Sequence, residues 1–314
     1  MFTNHTLKIA GFHVTVKYFR RELHFGPRLP KLDLDEDGVC KFEKDTGGLK
    51  SRPAPPKSAE AIEIANYRRA QDCVVDLINA NIIEGIHRPG NLTAKFFTMT
   101  YKDEVQAEDT PRAIKDFTSY IKKVNWNYFG KKTGQLKYVA VMELQPKSKK
   151  IHFHTVLFNH PWIEQKKLQD LWGYGIVDIR KIYDRNYGQY MAKYLGKNFR
   201  EYHEAGKKHY FRSRGLVEAQ ILRHDGAVLD IINNLPDSLV LHKVENIKFP
   251  IWNGFEFVEQ VMDKTDYSLK GFPEVVDWIQ QTITNEQQHP QPLRFSIDPI
   301  NETSDMPVDY DLGF

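Results

Sequence analysis

His152 and His154 are the residues whose type and spacing most directly imply chemistry. They sit in Lys150-Ile-His-Phe-His-Thr-Val-Leu-Phe158, a run of β-branched and aromatic residues without Gly or Pro that reads as a strand. Side chains alternate across a strand, so both imidazoles leave from one face. Two imidazoles on a half-buried face are half a metal site; the plainer reading is two polar residues on a solvated face. A hairpin closed by Gln145–Lys150 supplies the missing half. It pairs Leu144 with Ile151, Glu143 with His152 and Val141 with His154, which brings Glu143 to the same face. Glu143, His152 and His154 form a three-donor set with positions left open for substrate and water. Imidazole plus carboxylate suits Mn²⁺ or Zn²⁺, and Mg²⁺ less naturally.

A second constellation lies further along. On a helix from Asn186 to about Arg200, Tyr187, Tyr190, Lys193, Tyr194 and Lys197 fall within an arc of roughly 120°. Met191, Ala192, Leu195 and Phe199 lie opposite and suffice to dock the helix. An aromatic stripe at helical spacing is more often packing than catalysis, but here phenols alternate with ammonium groups. A phenol ionises near pH 10 and is a poor nucleophile unless cations favour its phenolate. Lys193 and Lys197 are placed to do that, or to hold a phosphate.

The elements that must position these groups follow in order. Ala94–Tyr101 reads as a strand, Thr110–Phe129 as a helix with Pro111 in its first turn, Leu136–Leu144 and Ile151–Phe158 as strands. Pro161–Trp172 reads as a helix, Ile176–Ile182 as a strand, and the tyrosine helix closes the series. The order β-α-β-β-α-β-α predicts an α+β fold: a ferredoxin-like antiparallel sheet with helices on one face, plus one further helix. Its first and third strands should be central neighbours, which sets Ala94–Tyr101 beside the His pair. The expected organisation is an N-terminal extension over 1–86 with a helix over 58–82, a central domain over 87–216, a C-terminal α+β extension over 217–297, and a flexible acidic tail over 298–314.

Charge points to the partner. Between Arg112 and Arg214 there are 22 Lys+Arg against 8 Asp+Glu, while the rest of the chain carries 22 against 33. A basic middle third between acidic ends suggests a polyanion-binding core. Charged residues interrupt every apolar run of Met1–Leu23, so no signal peptide and no membrane span is expected. Cys40 and Cys73 make no metal-type spacing and point to a reducing cytoplasm. No G-x-x-x-x-G-K-[ST] loop occurs, so no nucleotide cofactor is expected.

Together, Phe97-Thr-Met-Thr-Tyr101, Glu143, His152-Phe-His154 and Tyr190-Met-Ala-Lys-Tyr-Leu-Gly-Lys197 resemble the three motifs of rolling-circle replication initiators in order and spacing. The resemblance covers roughly Leu92–Leu216 and is to the HUH endonucleases of the filamentous-phage gene II and two-tyrosine type. It implies that Glu143, His152 and His154 hold a divalent metal, Mn²⁺ or Mg²⁺, against the scissile phosphate of single-stranded DNA at a replication origin. It implies that Tyr190 attacks, leaving a 3′-hydroxyl primer and a 5′-phosphotyrosine, with Tyr194 as a candidate second nucleophile. Thr98 and Thr100 would support the His pair from the neighbouring strand. Lys122, Lys123, Lys131, Lys132, Lys149, Lys150, Lys207, Lys208, Arg212 and Arg214 would track the DNA backbone, with Trp126, Tyr128 or Trp172 stacking bases. A host helicase and polymerase in a bacterial cytoplasm are the implied further partners. A transposase or relaxase would share this chemistry. A DNA-binding regulator on the same fold and a hydrolase using activated water stay open as alternatives.

Overall fold

The computed structural model describes residues 2–24, 55, 58–87, 94–102, 109–131, 134–144, 150–161, 163–182, 187–198, 210–223, 225–252 and 257–288. The expected tail over 298–314 lies outside them. The chain forms two units, one of Met1–Ser58 with Gln220–Gly313 and one spanning Ala59–Ala219.

In the first unit, β1 (Phe2–Ala10), β2 (His13–His24), β8 (Gln220–Leu222), β9 (Val240–Trp252) and β10 (Phe257–Ser268) form one sheet in the order β8-β1-β2-β10-β9. The two ends of the chain, expected as separate extensions, therefore share a sheet. The cause is non-local: β2 pairs with β10 from His13↔Ser268 to Phe19↔Met262, a pairing that no local pattern announces. Helices α5 (Asp225–Asn234) and α6 (Pro273–Gln288) bury Val228, Ile231, Ile279 and Ile283 against Leu7, Ile9, Val14 and Val16.

The second unit contains α1 (Ala59–His87), β3 (Lys95–Tyr101), α2 (Thr110–Phe129), β4 (Tyr138–Leu144), β5 (Ile151–Leu157), α3 (Gln165–Trp172), β6 (Gly175–Lys181), α4 (Tyr187–Asn198) and β7 (Phe211–Arg212). Its sheet order is β6-β3-β5-β4-β7, with β3 and β5 central neighbours as the ferredoxin-like topology requires. Helix α1, expected in the N-terminal extension, belongs to this unit.

Helices cover both faces of this sheet. On one face, α2 and α3 bury Phe117, Tyr120, Leu168 and Trp172 against Phe97, Met99 and Phe153. On the other, α1 and α4 bury Val74, Leu77, Ile78, Met191 and Leu195 against Phe96, Val139, Val141 and Val156. The second layer follows from the strands: both parities of β4 are largely apolar, and every residue of β5 is buried. Helix α3 starts at Gln165 rather than Pro161, because Glu164 at its cap is extended (φ −59°, ψ 137°). No helix among the described residues is long and apolar enough to cross a membrane.

Helix α4 carries the tyrosines, and its seating on α1 has little slack. A Cβ at Gly188 would stand 3.0 Å from Asn79 Oδ1 and 3.1 Å from the Val75 carbonyl oxygen. One turn on, Gln71 Nε2 donates to the Ala192 carbonyl at 3.1 Å. Gly188→Ala should therefore push α4 off α1 and cost about 1–3 kcal/mol, the usual penalty of overpacking. Chemical denaturation checks it, and a variant as stable as wild type contradicts the close seating.

Candidate active site

The site begins with register. β4 pairs with β5 as Val141↔His154, Glu143↔His152 and Leu144↔Ile151, the register expected from the hairpin. β3 pairs with β5 as Thr98↔His154 and Thr100↔His152. Glu143, His152, His154, Thr98 and Thr100 therefore share one face, the face under α4. Glu143, His152 and His154 are 4, 6 and 5% exposed.

Buried polar groups need partners, and those present here orient the imidazoles. Thr100 Oγ1 lies 3.2 Å from His152 Nδ1, and Thr98 Oγ1 lies 3.3 Å from His154 Nδ1. Each threonine holds the ring nitrogen nearer the backbone, which turns Nε2 outward. His154 Nε2 then meets Glu143 Oε2 at 2.6 Å, the length of a charge-assisted bond. His152 Nε2 is buried and has no hydrogen-bond partner. Burial, reinforced by the neighbouring His154 charge, pushes the His152 pKa down to about 4, with Glu143 opposing. The ring is accordingly neutral near pH 7, the state a metal ligand requires.

Both motif tyrosines reach this face. The Tyr194 ring stacks on the His154 ring at 3.6 Å between centroids and 19° between planes. The Tyr194 hydroxyl donates to the Tyr190 hydroxyl. Tyr190 is 38% exposed and meets Phe96 edge-on at 5.3 Å. Burial first, and then the bond to Tyr190, raise the Tyr194 pKa well above the usual phenol range; Arg180 opposes the rise. In the bond between the two phenols Tyr194 is the donor and the exposed Tyr190 the acceptor. Local sequence explains the placement: Met191, Ala192 and Leu195 are buried and Lys193 is exposed, so the apolar side of α4 docks the helix.

The expected residues are gathered only in part. Lys193 is exposed on α4, and the side chain of Lys197 lies outside the described residues. Lys122 and Lys123 lie on α2, on the opposite side of the sheet from the His pair. Lys123 Nζ donates to the Leu171 carbonyl at 3.1 Å, tying α2 to α3. Lys131 is exposed, Lys150 half-buried, and Lys132, Lys149, Lys207 and Lys208 lie outside the described residues. Arg212 pairs with Glu218 at 2.5 Å, and the Arg214 carbonyl accepts from Lys137 Nζ at 2.7 Å. Trp172 is 0% exposed and packed into the core, so it cannot stack bases; Trp126 is 59% exposed. Phe96 was not singled out from the sequence. It stacks on His154 at 5.9 Å as well as touching Tyr190. The alternation that marks Thr98 and Thr100 puts Phe96 on the same face.

The donors fit a divalent ion in kind. They comprise a neutral imidazole with an orphaned Nε2, a second imidazole held through Nδ1, and a carboxylate across the hairpin. Among the described residues, however, no three His, Cys, Asp or Glu side chains are gathered around one point. Glu143 and His154 are bonded to each other, so a metal would have to displace the proton between them. Binding should therefore raise the melting temperature in Mn²⁺, and EDTA should reverse it. His152→Ala should remove the rise. An equal rise in wild type and His152→Ala would place any metal elsewhere.

Three comparisons bear on identity. No curated protein matches this chain, and no solved structure matches it. Residues 94–199 match the family model of the replication-associated proteins of the ORF2 and gene II protein type. The matched stretch runs from the Thr98/Thr100 strand through Glu143, His152 and His154 to the Tyr190/Tyr194 helix. Over these residues the chain is similar to the replication-associated proteins of that family, the resemblance to rolling-circle initiators that its motifs carry.

Proposed function

We propose that this protein initiates rolling-circle DNA replication by nicking and rejoining single-stranded DNA through a phosphotyrosine. One observation carries the reading: the hydroxyls of Tyr190 and Tyr194 meet over the face that holds Glu143, His152 and His154, within a segment similar to replication-associated proteins.

Glu143, His152 and His154 would hold the divalent ion, Mn²⁺ or Mg²⁺, which supplies Lewis-acid polarisation of a phosphate oxygen when bound. The remaining chemistry belongs to the chain. Tyr190 is the exposed member of the pair and the first nucleophile. Its oxygen forms a bond to phosphorus as the bond to the 3′-oxygen breaks. The phenol loses its proton and the leaving 3′-oxygen gains one. Tyr194 donates its O–H to the Tyr190 oxygen, which stabilises negative charge there as the proton leaves. Thr98 and Thr100 hold the imidazoles in place, and Lys193 and Lys197 are the cations of the same helix. The phosphoester bond is exchanged rather than hydrolysed, so rejoining needs no nucleotide. Tyr194, one turn along, is the candidate for the second exchange. The released 3′-hydroxyl would prime a host polymerase after a host helicase opens the duplex.

Incubation with end-labelled single-stranded DNA spanning the replicon's origin and Mn²⁺, followed by a denaturing gel, tests the proposal. Wild type should give a protein–DNA adduct that EDTA prevents. Tyr190→Phe should lower its yield by orders of magnitude, and the double replacement with Tyr194→Phe should abolish it. His152→Ala should keep DNA binding while losing the nick. Binding without an adduct in wild type would point to a DNA-binding regulator. Cleavage without an adduct would point to a hydrolase using activated water.

A further inference from the structure

The cations expected to meet DNA at this site came from the tyrosine helix and from basic segments elsewhere in the chain. The sheet itself adds another. β6 pairs with β3 as Phe96↔Arg180, Thr98↔Asp178 and Thr100↔Ile176. Directly opposed residues share a face. The rows across the site therefore run Ile176–Thr100–His152–Glu143, Asp178–Thr98–His154–Val141 and Arg180–Phe96–Val156–Val139. Arg180 stands beside Phe96, whose ring touches both Tyr190 and His154.

This strip is open where the rest of the face is covered. β4 and β5 are buried under α1 and α4, whereas Ile176 is 60% exposed and the side chains of Asp178 and Arg180 are 49 and 67% exposed. An exposed apolar residue, a carboxylate and a guanidinium thus line the sheet edge next to the exposed tyrosine.

Asp178 Oδ2 accepts from Arg180 Nε at 3.0 Å. A solvent-exposed pair of this kind contributes little to stability, about 0–1 kcal/mol. It does orient a planar fork of five donors, a geometry that suits two oxygens of one phosphate. We propose that Arg180, oriented by Asp178 on the open edge of the site, binds a phosphate of single-stranded DNA next to Tyr190. The polyanion is the substrate class of the nicking reading, on which this assignment rests. Arg180 is the phosphate-binding residue and Asp178 its positioning residue. Lys193 and Lys197 then need not be the only cations at the nucleophile.

Equilibrium binding of a fluorescein-labelled oligothymidylate, measured by anisotropy in EDTA over a salt series, separates the two claims because no cleavage is required. Arg180→Gln should weaken binding about tenfold and reduce the salt slope by roughly one, as expected for one lost phosphate contact. Arg180→Lys should restore the slope and only part of the affinity. Arg112→Gln, an equal charge change on α2 across the sheet, should alter neither. Unchanged affinity and slope in Arg180→Gln overturn the assignment, as does an equal loss in Arg112→Gln or no binding by wild type. If Arg180→Gln loses the contact while wild type forms no adduct with Mn²⁺, Arg180 stands and the nicking reading fails. If the adduct forms and Arg180→Gln binds like wild type, only Arg180 fails.

Discussion

The site depends on strand register. β5 is hydrogen-bonded on both sides, to β3 and to β4, and every one of its residues is buried. A slip of one residue against either neighbour would move His152 and His154 away from Glu143 or from the threonines and expose Phe153 in the wrong layer. The apolar cost of that slip is high on both faces, since Phe153 stacks on Phe117 at 4.8 Å on one side and Val156 packs with Met191 and Leu195 on the other. The hydrophobic core therefore specifies the polar site. Glu143, His152, His154, Thr98 and Thr100 occupy positions of that face where its apolar packing leaves off, and the ring of Tyr194 lies over His154.

Helix α4 completes what the sheet begins. A helix seated on a sheet presents a residue every turn to the same spot, so Tyr190 and Tyr194 come to one place because they are four apart. Their environments differ. The Tyr194 ring stacks on His154 and burial pushes its ionisation up, whereas Tyr190 is exposed. Two chemically identical side chains thereby acquire different roles, a donor and an acceptor, without any difference in residue type. The 2.6 Å Glu143–His154 bond and the orphaned His152 Nε2 show the same economy on the sheet side. One donor pair satisfies itself, and one nitrogen is left with a requirement that a bound ion would meet.

Much of the central unit was legible in the sequence because its signals are local. The hairpin register followed from the length of the 145–150 loop, and the sheet order from the sequence of elements. Thr98 and Thr100 were legible as neighbours of the His pair once β3 and β5 were set side by side. The rest required long-range contacts. That β1 and β2 share a sheet with β9 and β10 is a pairing across some two hundred and fifty positions, as in Thr15 and Asp266. Trp172 reads from sequence as an available aromatic, but its indole is inside the core against Tyr101 and Tyr120. Lys122 and Lys123 belong to a basic run, yet they sit on α2, on the far side of the sheet. Arg180 looked like one basic residue among many until its row placed it beside Phe96.

The central claim is that a tyrosine of α4 becomes covalently joined to DNA. Mapping the joined peptide tests it most directly. After reaction with origin DNA and Mn²⁺, nuclease and trypsin digestion leaves Tyr190 in the peptide Asn186–Lys193 and Tyr194 in Tyr194–Lys197, because Lys193 separates them. A nucleotide 5′-phosphate on Tyr190 in the first peptide, distinguished from Tyr187 by fragmentation, is the predicted result. No modified peptide, or modification confined to residues outside α4, would contradict the account.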